Sequence, residues 1–384
     1  MKEIIMFVDT LQPFLQQAWK KSGFSTPLPI QERTYTMIKD GKDVIGISPT
    51  GSGKTLAYLL PLLEKIDVEQ KQAQVLILAS SHELVAQIHR LIQEWTTYAE
   101  MSSMMVIGGA NIKRQIEKLK KKPQIIVGTP GRVLELIKQK KLKVHVLKSI
   151  VLDEADQLLV PEHRNNLFGI IKSAPKERQL LLFSATISEG LAEEANRYMV
   201  TPEVIRVNNE EAGTPKVSYQ YIVSEEREKI DILRSLARHL DEQLLVFFRD
   251  SGNLAVIADK LAYQGIAVEA LHGELSKQKR EKAIRQFVKG ETQLLLATDV
   301  AARGLDVKDL AYVVQVDVPR DPNHYLHRAG RTGRVGSDGG IVLSLVTNSE
   351  VRQLNQTAKK LEINLVETML RKGKLIKKDP TKRR

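Results

Sequence analysis

The fold is decided by "DVIGISPTGSGKT", residues 43–55. Its first six residues are an apolar run of strand length, and "LAYLLPLLEKI" after Thr55 has helical periodicity. Between them Gly51, Ser52 and Gly53 let backbone N–H groups turn inward around a phosphate, Lys54 supplies a cation, and Thr55 supplies a hydroxyl suited to Mg²⁺. A chance glycine-rich turn is the alternative. The flanking strand and helix favour a phosphate-binding loop.

The pattern of strand followed by helix continues along the chain. Further strand candidates are QVLILAS (74–80), SMMVIG (103–108), QIIVGT (124–129), SIVLDE (149–154) and QLLLFSA (179–185), and then YQYIVS (219–224), QLLVFF (243–248), IAVEAL (266–271), QLLLAT (293–298), AYVVQVD (311–317) and IVLSLVT (341–347). Continuous apolar runs separated by helices predict parallel strands covered on both faces. The fold class predicted is therefore α/β.

Domain boundaries follow from composition. At 384 residues the chain is too long for one ordinary core. The polar stretch "NNEEAGTPK" (208–216), with its Gly and Pro, is typical of a linker. We therefore predict a first domain over 1–207, a linker over 208–216, a second domain over 217–370 and a basic tail over 371–384.

Composition excludes several classes of protein. The chain has no cysteine, which rules out disulfides, thiolate zinc sites and cysteine nucleophiles. The N-terminal segment lacks the long apolar run of a signal peptide, and runs such as "VLILA" are far too short to span a membrane. A cytoplasmic protein is expected.

Positive charge is unevenly distributed. The formal net charge is +12, and "RKGKLIKKDPTKRR" (371–384) has eight Lys or Arg against one Asp. This tail is either a solvated, frayed terminus or a contact for a polyanion such as RNA.

Two carboxylates follow a hydrophobic strand in "SIVLDEADQLL". Because open parallel sheets bind ligands at the carboxyl ends of their strands, Asp153 and Glu154 are expected to face the phosphate loop. Asp153 is then a candidate for positioning the metal, and Glu154 for orienting or deprotonating the attacking water. The alternative is that the acids only stabilise a helix N-terminus.

These motifs together resemble the DEAD-box RNA helicase family, of superfamily two. "DEAD" at 153–156 and "PTGSGKT" carry the likeness, and other signatures appear in the family's order: GFSTPLPIQ (23–31), GG (108–109), TPGR (129–132), SAT (184–186), ATDVAARGLDV (297–307) and HRAGRTGR (327–334). The resemblance implies two RecA-like domains that close around ATP, Mg²⁺ and a strand of RNA.

The resemblance also implies roles on the ATP side. Gln31 and Phe24 correspond to residues that contact adenine, the first at its polar edge and the second by stacking. Ser184 and Thr186 correspond to the link between hydrolysis and domain closure. Arg331 and Arg334 correspond to arginine fingers on the γ-phosphate, with His327 near the attacking water and Asp306 on the ribose. Without the resemblance, contact with the γ-phosphate is favoured no more than the alternative, in which the arginines bind RNA phosphates or form surface ion pairs.

On the RNA side the pattern is less complete. The positions that resemble the family's contacts to RNA phosphates and sugars are Gly109, Thr129, Arg132, Arg280 and Thr298. Four positions depart from the usual residues, namely His82 in "SSHEL", Arg249 and Asp250 in "VFFRDS", and Lys277 in "SKQKR". Because His82 replaces an always-charged arginine and Asp250 repels phosphate, weak binding of RNA is expected.

The function predicted is that of an RNA-stimulated ATPase that locally unwinds RNA. Two alternatives remain at this stage. An ATP-gated RNA clamp that unwinds little fits the sequence almost as well, and a DNA-directed translocase fits less well because of the Gln31 segment and the DEAD spelling.

Overall fold

The chain forms two compact units, residues 1–213 and 214–384. The computed structural model describes residues 7–186, 193, 195, 197–213, 215–302, 307, 310–333, 339–371 and 373–378, without the side chains of 277, 300 and 302. The expected positions Asp306 and Arg334 and the side chain of Lys277 lie outside the described residues. Each unit is described by itself.

The first unit alternates strands with helices. After a short 3₁₀ helix, Phe7–Thr10, its helices are α1 (Pro13–Ser22), α2 (Pro29–Lys39), α3 (Lys54–Glu64), α4 (His82–Trp95), α5 (Ile112–Leu119), α6 (Pro130–Lys138), α7 (Ala155–Leu158) and α8 (Pro161–Ser173). Its strands are β1 (Val44–Ile47), β2 (Val75–Leu78), β3 (Ser103–Val106), β4 (Ile125–Gly128), β5 (Ser149–Asp153), β6 (Gln179–Ser184) and β7 (Glu203–Arg206).

These strands form one sheet in the order β3-β4-β2-β5-β6-β1-β7, and every pairing is parallel. Successive residues of a strand point to opposite faces, so the apolar runs fill two cores. Val75 and Ile77 of β2 join one core with α1 to α4, while Leu76 and Leu78 join the other with α5, α6 and α8. Burial on both faces explains why these strands are continuously apolar.

The second unit repeats the architecture. After a 3₁₀ helix, Glu226–Glu228, its helices are α9 (Lys229–His239), α10 (Ser251–Tyr263), α11 (Lys277–Val288), α12 (Asp299–Ala302), α13 (Pro322–Ala329) and α14 (Val351–Leu361). Its strands are β8 (Val217–Val223), β9 (Leu244–Phe248), β10 (Val268–Leu271), β11 (Leu294–Thr298), β12 (Tyr312–Gln315), β13 (Gly340–Val346), β14 (Leu365–Arg371) and β15 (Lys374–Lys377). The sheet order is β10-β11-β9-β12-β13-β8-β14-β15, with only the described pair β14–β15 antiparallel.

The segment predicted as a linker is held by the first unit over its first half. The Arg33 guanidinium contacts Glu211 Oε1 at 2.6 Å and donates to the Arg206 carbonyl at 3.0 Å. Glu211 and Asn208 accept hydrogen bonds from each other's backbone N–H groups, and Ala212 is buried in the core formed with α1 to α4. The chain up to Gly213 is therefore a fixed turn.

The segment expected as a basic tail begins inside a β-hairpin. Arg371 pairs with Lys374, and Met369 pairs with Ile376 across β14 and β15. Lys378 Nζ then contacts Glu367 Oε1 at 2.5 Å. Residues 379–384 lie outside the described part of the chain.

A buried ion pair holds the second unit together at the carboxyl end of β11. The Arg328 guanidinium donates to Asp299 Oδ1 at 2.6 Å and to Oδ2 at 2.8 Å, and to the Asp317 carbonyl at 2.7 Å. It also lies over the Phe247 ring, 5.3 Å from the centroid. Arg328 is 2% exposed, so this first arginine of "HRAGRTGR" stabilises the fold.

We predict that Arg328→Met lowers the free energy of unfolding of the second unit by about 3 kcal/mol, because it leaves the Asp299 carboxylate unpaired. Hydrogen exchange of β9, β11 and α13 measures this effect. Both tryptophans, Trp19 and Trp95, lie in the first unit, so their fluorescence provides an internal control.

The matched control is the double variant Asp299→Leu with Arg328→Met, which removes both charges. It should be less destabilised than the single variant. Equal losses in the two variants would contradict a role for charge pairing.

Candidate active site

The phosphate loop lies between β1 and α3. Gly51 and Gly53 adopt φ of 80° and 84°, in the left-handed region that favours glycine. A Cβ at Gly53 would lie 2.5 Å from Gln31 Nε2, so a larger residue would clash there. The Ser52 hydroxyl donates to the Pro49 carbonyl at 2.7 Å. These contacts shape the loop predicted from the glycine spacing.

Lys54 is held inside this loop. Its Nζ donates to the carbonyl oxygens of Ser48 at 2.6 Å and Pro49 at 2.7 Å. Burial lowers the pKa of Lys54 to about 8, against the attraction of nearby carboxylates, chiefly Asp153. The ammonium group is thus mostly charged at neutral pH and is surrounded by carbonyl oxygens.

Asp153 ends β5 and is 4% exposed. Its Oδ2 accepts from the Tyr58 hydroxyl at 2.8 Å, and its Oδ1 accepts from the Glu154 backbone N–H at 3.0 Å. Burial, and then the charge of Glu154, raise the pKa of Asp153 to about 6. The buried Tyr58 phenol on α3 therefore fixes one of the two residues that the sequence proposes for Mg²⁺.

Glu154 follows immediately in an unusual backbone conformation. Its φ of 52° and ψ of 54° are left-handed, which a non-glycine residue adopts at a cost of about 1 kcal/mol. The Ser80 hydroxyl donates to Glu154 Oε2 at 3.3 Å. The strained turn separates the direction of the Glu154 side chain from that of Asp153.

The "SAT" segment joins the same group. The Ser184 hydroxyl, at the end of β6, donates to Asp156 Oδ1 at 2.7 Å, and the Thr186 N–H donates to Ser184 Oγ at 3.3 Å. Strands β5, β6 and β1 are neighbours in the sheet. Their carboxyl ends therefore bring together Asp153, Ser184 and the phosphate loop.

Gln31 is attached to the phosphate loop as well. Its Nε2 donates to the Gly53 carbonyl at 3.2 Å, and its Oε1 accepts from the Leu28 N–H at 2.9 Å. Phe24 is 51% exposed, and its ring stacks 6.5 Å from that of Trp95. The carboxamide is thus fixed in orientation, while Phe24 offers one face to solvent.

In the first unit, the residues expected to contact RNA also lie together. Thr129 directly follows β4, and the guanidinium of Arg132, in the first turn of α6, donates to the Ala110 carbonyl at 3.0 Å. The His82 ring lies beside the "GG" segment, within 3.8 Å of a Cβ built at Gly109. These segments follow β2, β3 and β4, so they share the edge of the sheet that carries the phosphate loop.

In the second unit, the candidate residues are distributed around β9 and β11. Thr298 is the buried last residue of β11, and Arg280 Nη2 donates to the nearby Ala301 carbonyl at 2.5 Å. The Asp250 carboxylate accepts from the Asn253 N–H at 3.3 Å and caps α10. His327 lies in the last turn of α13 and Arg331 just after it, both partly exposed.

The described residues contain no group of three or more His, Cys, Asp or Glu side chains that could hold a metal ion. In the same part of the chain, no helix is long and apolar enough to cross a membrane.

Comparison with protein families identifies the chain. A family model described as DEAD/DEAH box helicase matches residues 28–194, and one described as helicase conserved C-terminal domain matches residues 228–336. The chain belongs to the DEAD-box RNA helicase family. The predicted family, fold class and function as an ATP-dependent RNA helicase enzyme are thereby confirmed, and unwinding is favoured over clamping.

Individual relatives agree with this assignment. The DEAD-box chain is 51% identical to a Bacillus subtilis protein named probable ATP-dependent RNA helicase YfmL, over 96% of this chain and 98% of that protein. It is 46% identical to the Bacillus cereus DEAD-box ATP-dependent RNA helicase CshC, over 97% and 95%. Among solved structures, it is similar to S. cerevisiae Dbp5 bound to RNA and ADP BeF3, with a TM-score of 0.85 and 29% identity over 94% of this chain and 95% of that one.

The contact between Tyr58 and Asp153 leads to a prediction. Tyr58→Phe removes a hydrogen bond worth about 1 kcal/mol, so the Asp153 carboxylate is no longer fixed by α3. We expect the Mg²⁺ concentration needed for half-maximal nucleotide binding to rise about fivefold. When a chelator removes Mg²⁺, nucleotide affinity is expected to differ little between Tyr58→Phe and wild type.

Tyr35→Phe is the matched control, because the Tyr35 hydroxyl donates to Glu64, remote from the loop. This variant should lose stability without any change in Mg²⁺ dependence. The same Mg²⁺ dependence in Tyr58→Phe and wild type would contradict the positioning role of Tyr58.

Proposed function

We propose that the first unit binds ATP with Mg²⁺ at the carboxyl ends of β1, β5 and β6, and hydrolyses it in a cycle stimulated by RNA. The observation that carries this proposal is the convergence of the phosphate loop, Asp153 and Ser184 at one edge. Lys54, Ser52 and the loop N–H groups would bind the β- and γ-phosphates, with Gly51 and Gly53 allowing close approach.

The side chain of Gln31 supports adenine as the base. A carboxamide offers two N–H donors and two acceptor lone pairs, and the contacts to Gly53 and Leu28 use one of each. The remaining donor and acceptor are complementary to the amino group and ring nitrogen of adenine. The exposed face of Phe24 is suited to stacking on the same base.

The donor set fits Mg²⁺. Mg²⁺ prefers oxygen ligands and is usually held by one or two protein groups together with substrate phosphates, which agrees with a site made of Thr55 and Asp153. When bound, the ion neutralises charge that develops on the phosphates. The pKa of Asp153, about 6, leaves its carboxylate mostly ionised at neutral pH. Tyr58 holds that carboxylate in place.

Glu154 is the proposed group that orients the attacking water and accepts its proton. Its left-handed backbone directs the carboxylate differently from Asp153, and Ser80 restrains it. Ser184 and Thr186 would connect this group to domain closure through Asp156. Hydrogen bonds thus restrain Glu154 through Ser80 and join Ser184 to Asp156 and Thr186.

The second unit is proposed to complete the site. Arg331 and Arg334 would contact the γ-phosphate, with His327 near the water and Asp306 on the ribose. An arginine that reaches the transferring phosphate only on closure can raise the rate by about 10³ to 10⁵. Arg328 is assigned no such role, because its guanidinium is already paired with the Asp299 carboxylate.

Glu154→Gln tests the hydrolysis step. The amide keeps the shape of the side chain but cannot accept a proton, so we expect ATP affinity to be retained and RNA-stimulated turnover to fall at least about a hundredfold. Fluorescent-nucleotide binding and phosphate release measure the two quantities. Glu162→Gln, an exposed change on α8, should leave both unchanged. Turnover near wild type in Glu154→Gln would remove Glu154 from the mechanism.

RNA is the proposed polyanion, held through its backbone by two groups of residues. Gly109, Thr129 and Arg132 would contact phosphates and sugars from the first unit, and Arg280 and Thr298 from the second. Hydroxyl, guanidinium and backbone N–H groups position a strand without identifying its sequence. Grouping of the first three residues at one edge supports this assignment.

The departures at His82 and Asp250 test the strength of this RNA contact. Together, His82→Arg and Asp250→Thr should lower the RNA concentration for half-maximal ATPase stimulation by roughly tenfold to thirtyfold, since each change contributes about 1 kcal/mol when partly screened. Threonine can still cap α10, so the fold should tolerate the change. The ATP affinity of this double variant, measured without RNA, should equal that of the wild type.

The matched control is His163→Arg with Asp241→Thr, which alters net charge equally away from these segments. An unchanged RNA requirement in the first double variant would contradict a weak grip at His82 and Asp250. The remaining departures are Arg249, whose N–H donates to Asp317 Oδ2 at 2.8 Å, and Lys277.

A further inference from the structure

A second concentration of positive charge lies within the first unit. Residues 118–148 contain ten Lys or Arg and one Glu, a net charge of +9 in a chain of net +12. Nine of these are exposed lysines, which we call the basic rim: Lys118, Lys120, Lys121, Lys122, Lys138, Lys140, Lys141, Lys143 and Lys148. No residue of the basic rim belongs to the motifs used above.

The basic rim lies at the opposite edge of the sheet from the active site. Its lysines end α5 and α6 or fill the segments that precede β4 and β5. Backbone hydrogen bonds align these segments, because the Lys148 N–H donates to the Gln74 carbonyl at 2.8 Å and the Gln74 N–H donates to Gln124 at 2.8 Å. Since all strands are parallel, the amino ends share one edge and the active site lies at the other.

Packing turns the lysines outward. Leu119, Leu142, Val144 and Leu147 are at most 9% exposed and share one core, so the lysines between them face solvent. Of the nine, Lys120 alone forms an ion pair within the described residues, with Glu117 at 2.7 Å. The exposed acids Asp67, Glu69 and Glu100 lie in the loops that precede β2 and β3, at this same edge, since Gln124 Nε2 donates to the Val68 carbonyl at 3.2 Å and Gln124 Oε1 accepts from the Ser102 N–H at 3.0 Å. Three carboxylates thus stand against nine lysines, and the edge stays strongly positive.

Two of these lysines occupy strained backbone positions. Lys122 and Lys140 have φ of 52° and 58°, where glycine is usual after a helix. The Lys140 N–H donates to the Ile137 carbonyl and the Lys141 N–H to the Leu136 carbonyl, the pattern of a helix end that favours glycine. A lysine at a helix C-terminus also complements the helix dipole, but Lys118 and Lys138 already do so with ordinary backbones.

We propose that the basic rim binds the phosphate backbone of RNA that extends beyond the stretch held at the active-site edge. This inference rests on the proposed RNA function and adds a second contact surface to it. Lysines bind phosphates as point charges, whereas protein interfaces are depleted in lysine and centred on apolar groups. Residues 118–148 include none of the exposed large hydrophobic side chains of the described chain.

The test compares two RNAs in the full-length protein. The variant Lys121→Gln, Lys138→Gln, Lys141→Gln and Lys143→Gln is matched by Lys20→Gln, Lys172→Gln, Lys359→Gln and Lys360→Gln, four exposed lysines elsewhere. The short RNA has about 10 nucleotides, within the range that one single-strand site covers, and the long RNA is several times longer.

For the rim variant, affinity for the long RNA should fall about tenfold, and the slope of log affinity against log salt should become shallower by about 0.7 for each lost phosphate contact. Affinity for the short RNA and ATPase activity without RNA should stay at wild-type values. A loss of short-RNA affinity would instead indicate damage to the RNA site at the active-site edge, so the two proposals can fail separately. Equal losses in the matched control would overturn the proposal. Unchanged affinity for the long RNA would also overturn it, because the lysines would then only be solvated or would bind an acidic protein surface.

A second variant addresses the strained backbone. Lys122→Gly with Lys140→Gly relieves the left-handed strain, so the midpoint of urea denaturation should rise while long-RNA affinity falls several-fold. Increased or unchanged stability with undiminished long-RNA affinity would overturn the proposal, because the lysines would then have no binding role.

Discussion

Parallel pairing is the constraint on which the rest of the first unit depends. Because every strand runs in the same direction, all strand carboxyl ends emerge at one edge and all amino ends at the other. Groups far apart in sequence, such as Lys54, Asp153 and Ser184, meet at the first edge without any long-range contact dedicated to bringing them together. The same geometry collects the lysines of the basic rim at the second edge, away from the phosphate loop.

Strand prediction succeeded where burial alone decides the structure. The twelve apolar runs identified in the sequence each overlap a strand, because a strand covered on both faces must be largely apolar. The three strands that were missed are β7, β14 and β15, which lie at or beside the sheet edges. The side chains of β7 alternate between partly buried and exposed, and those of β14 and β15 are partly buried or exposed at nearly every position, so these sequences resemble ordinary surface segments.

The sequence located the local motifs but not the residues that support them. Gly51 and Gly53 turn the loop where their spacing predicted it, and Asp153 ends a strand as expected, while the functional roles of these residues stay predictions. Tyr58, which fixes Asp153, was not identified, because a tyrosine in an apolar helix looks like an ordinary core residue. The helix-capping role of Asp250 was also missed. Such contacts join residues brought together only by tertiary packing, so no short sequence pattern contains them.

The buried pair of Arg328 and Asp299 restricts how this protein can change over generations. Each residue is favourable only in the presence of the other, so a lineage that replaces one must pass through a less stable intermediate or alter both at once. Close relatives should therefore carry both residues or neither. The first arginine of "HRAGRTGR" would then be retained by selection on folding, whatever the other arginines of the segment do.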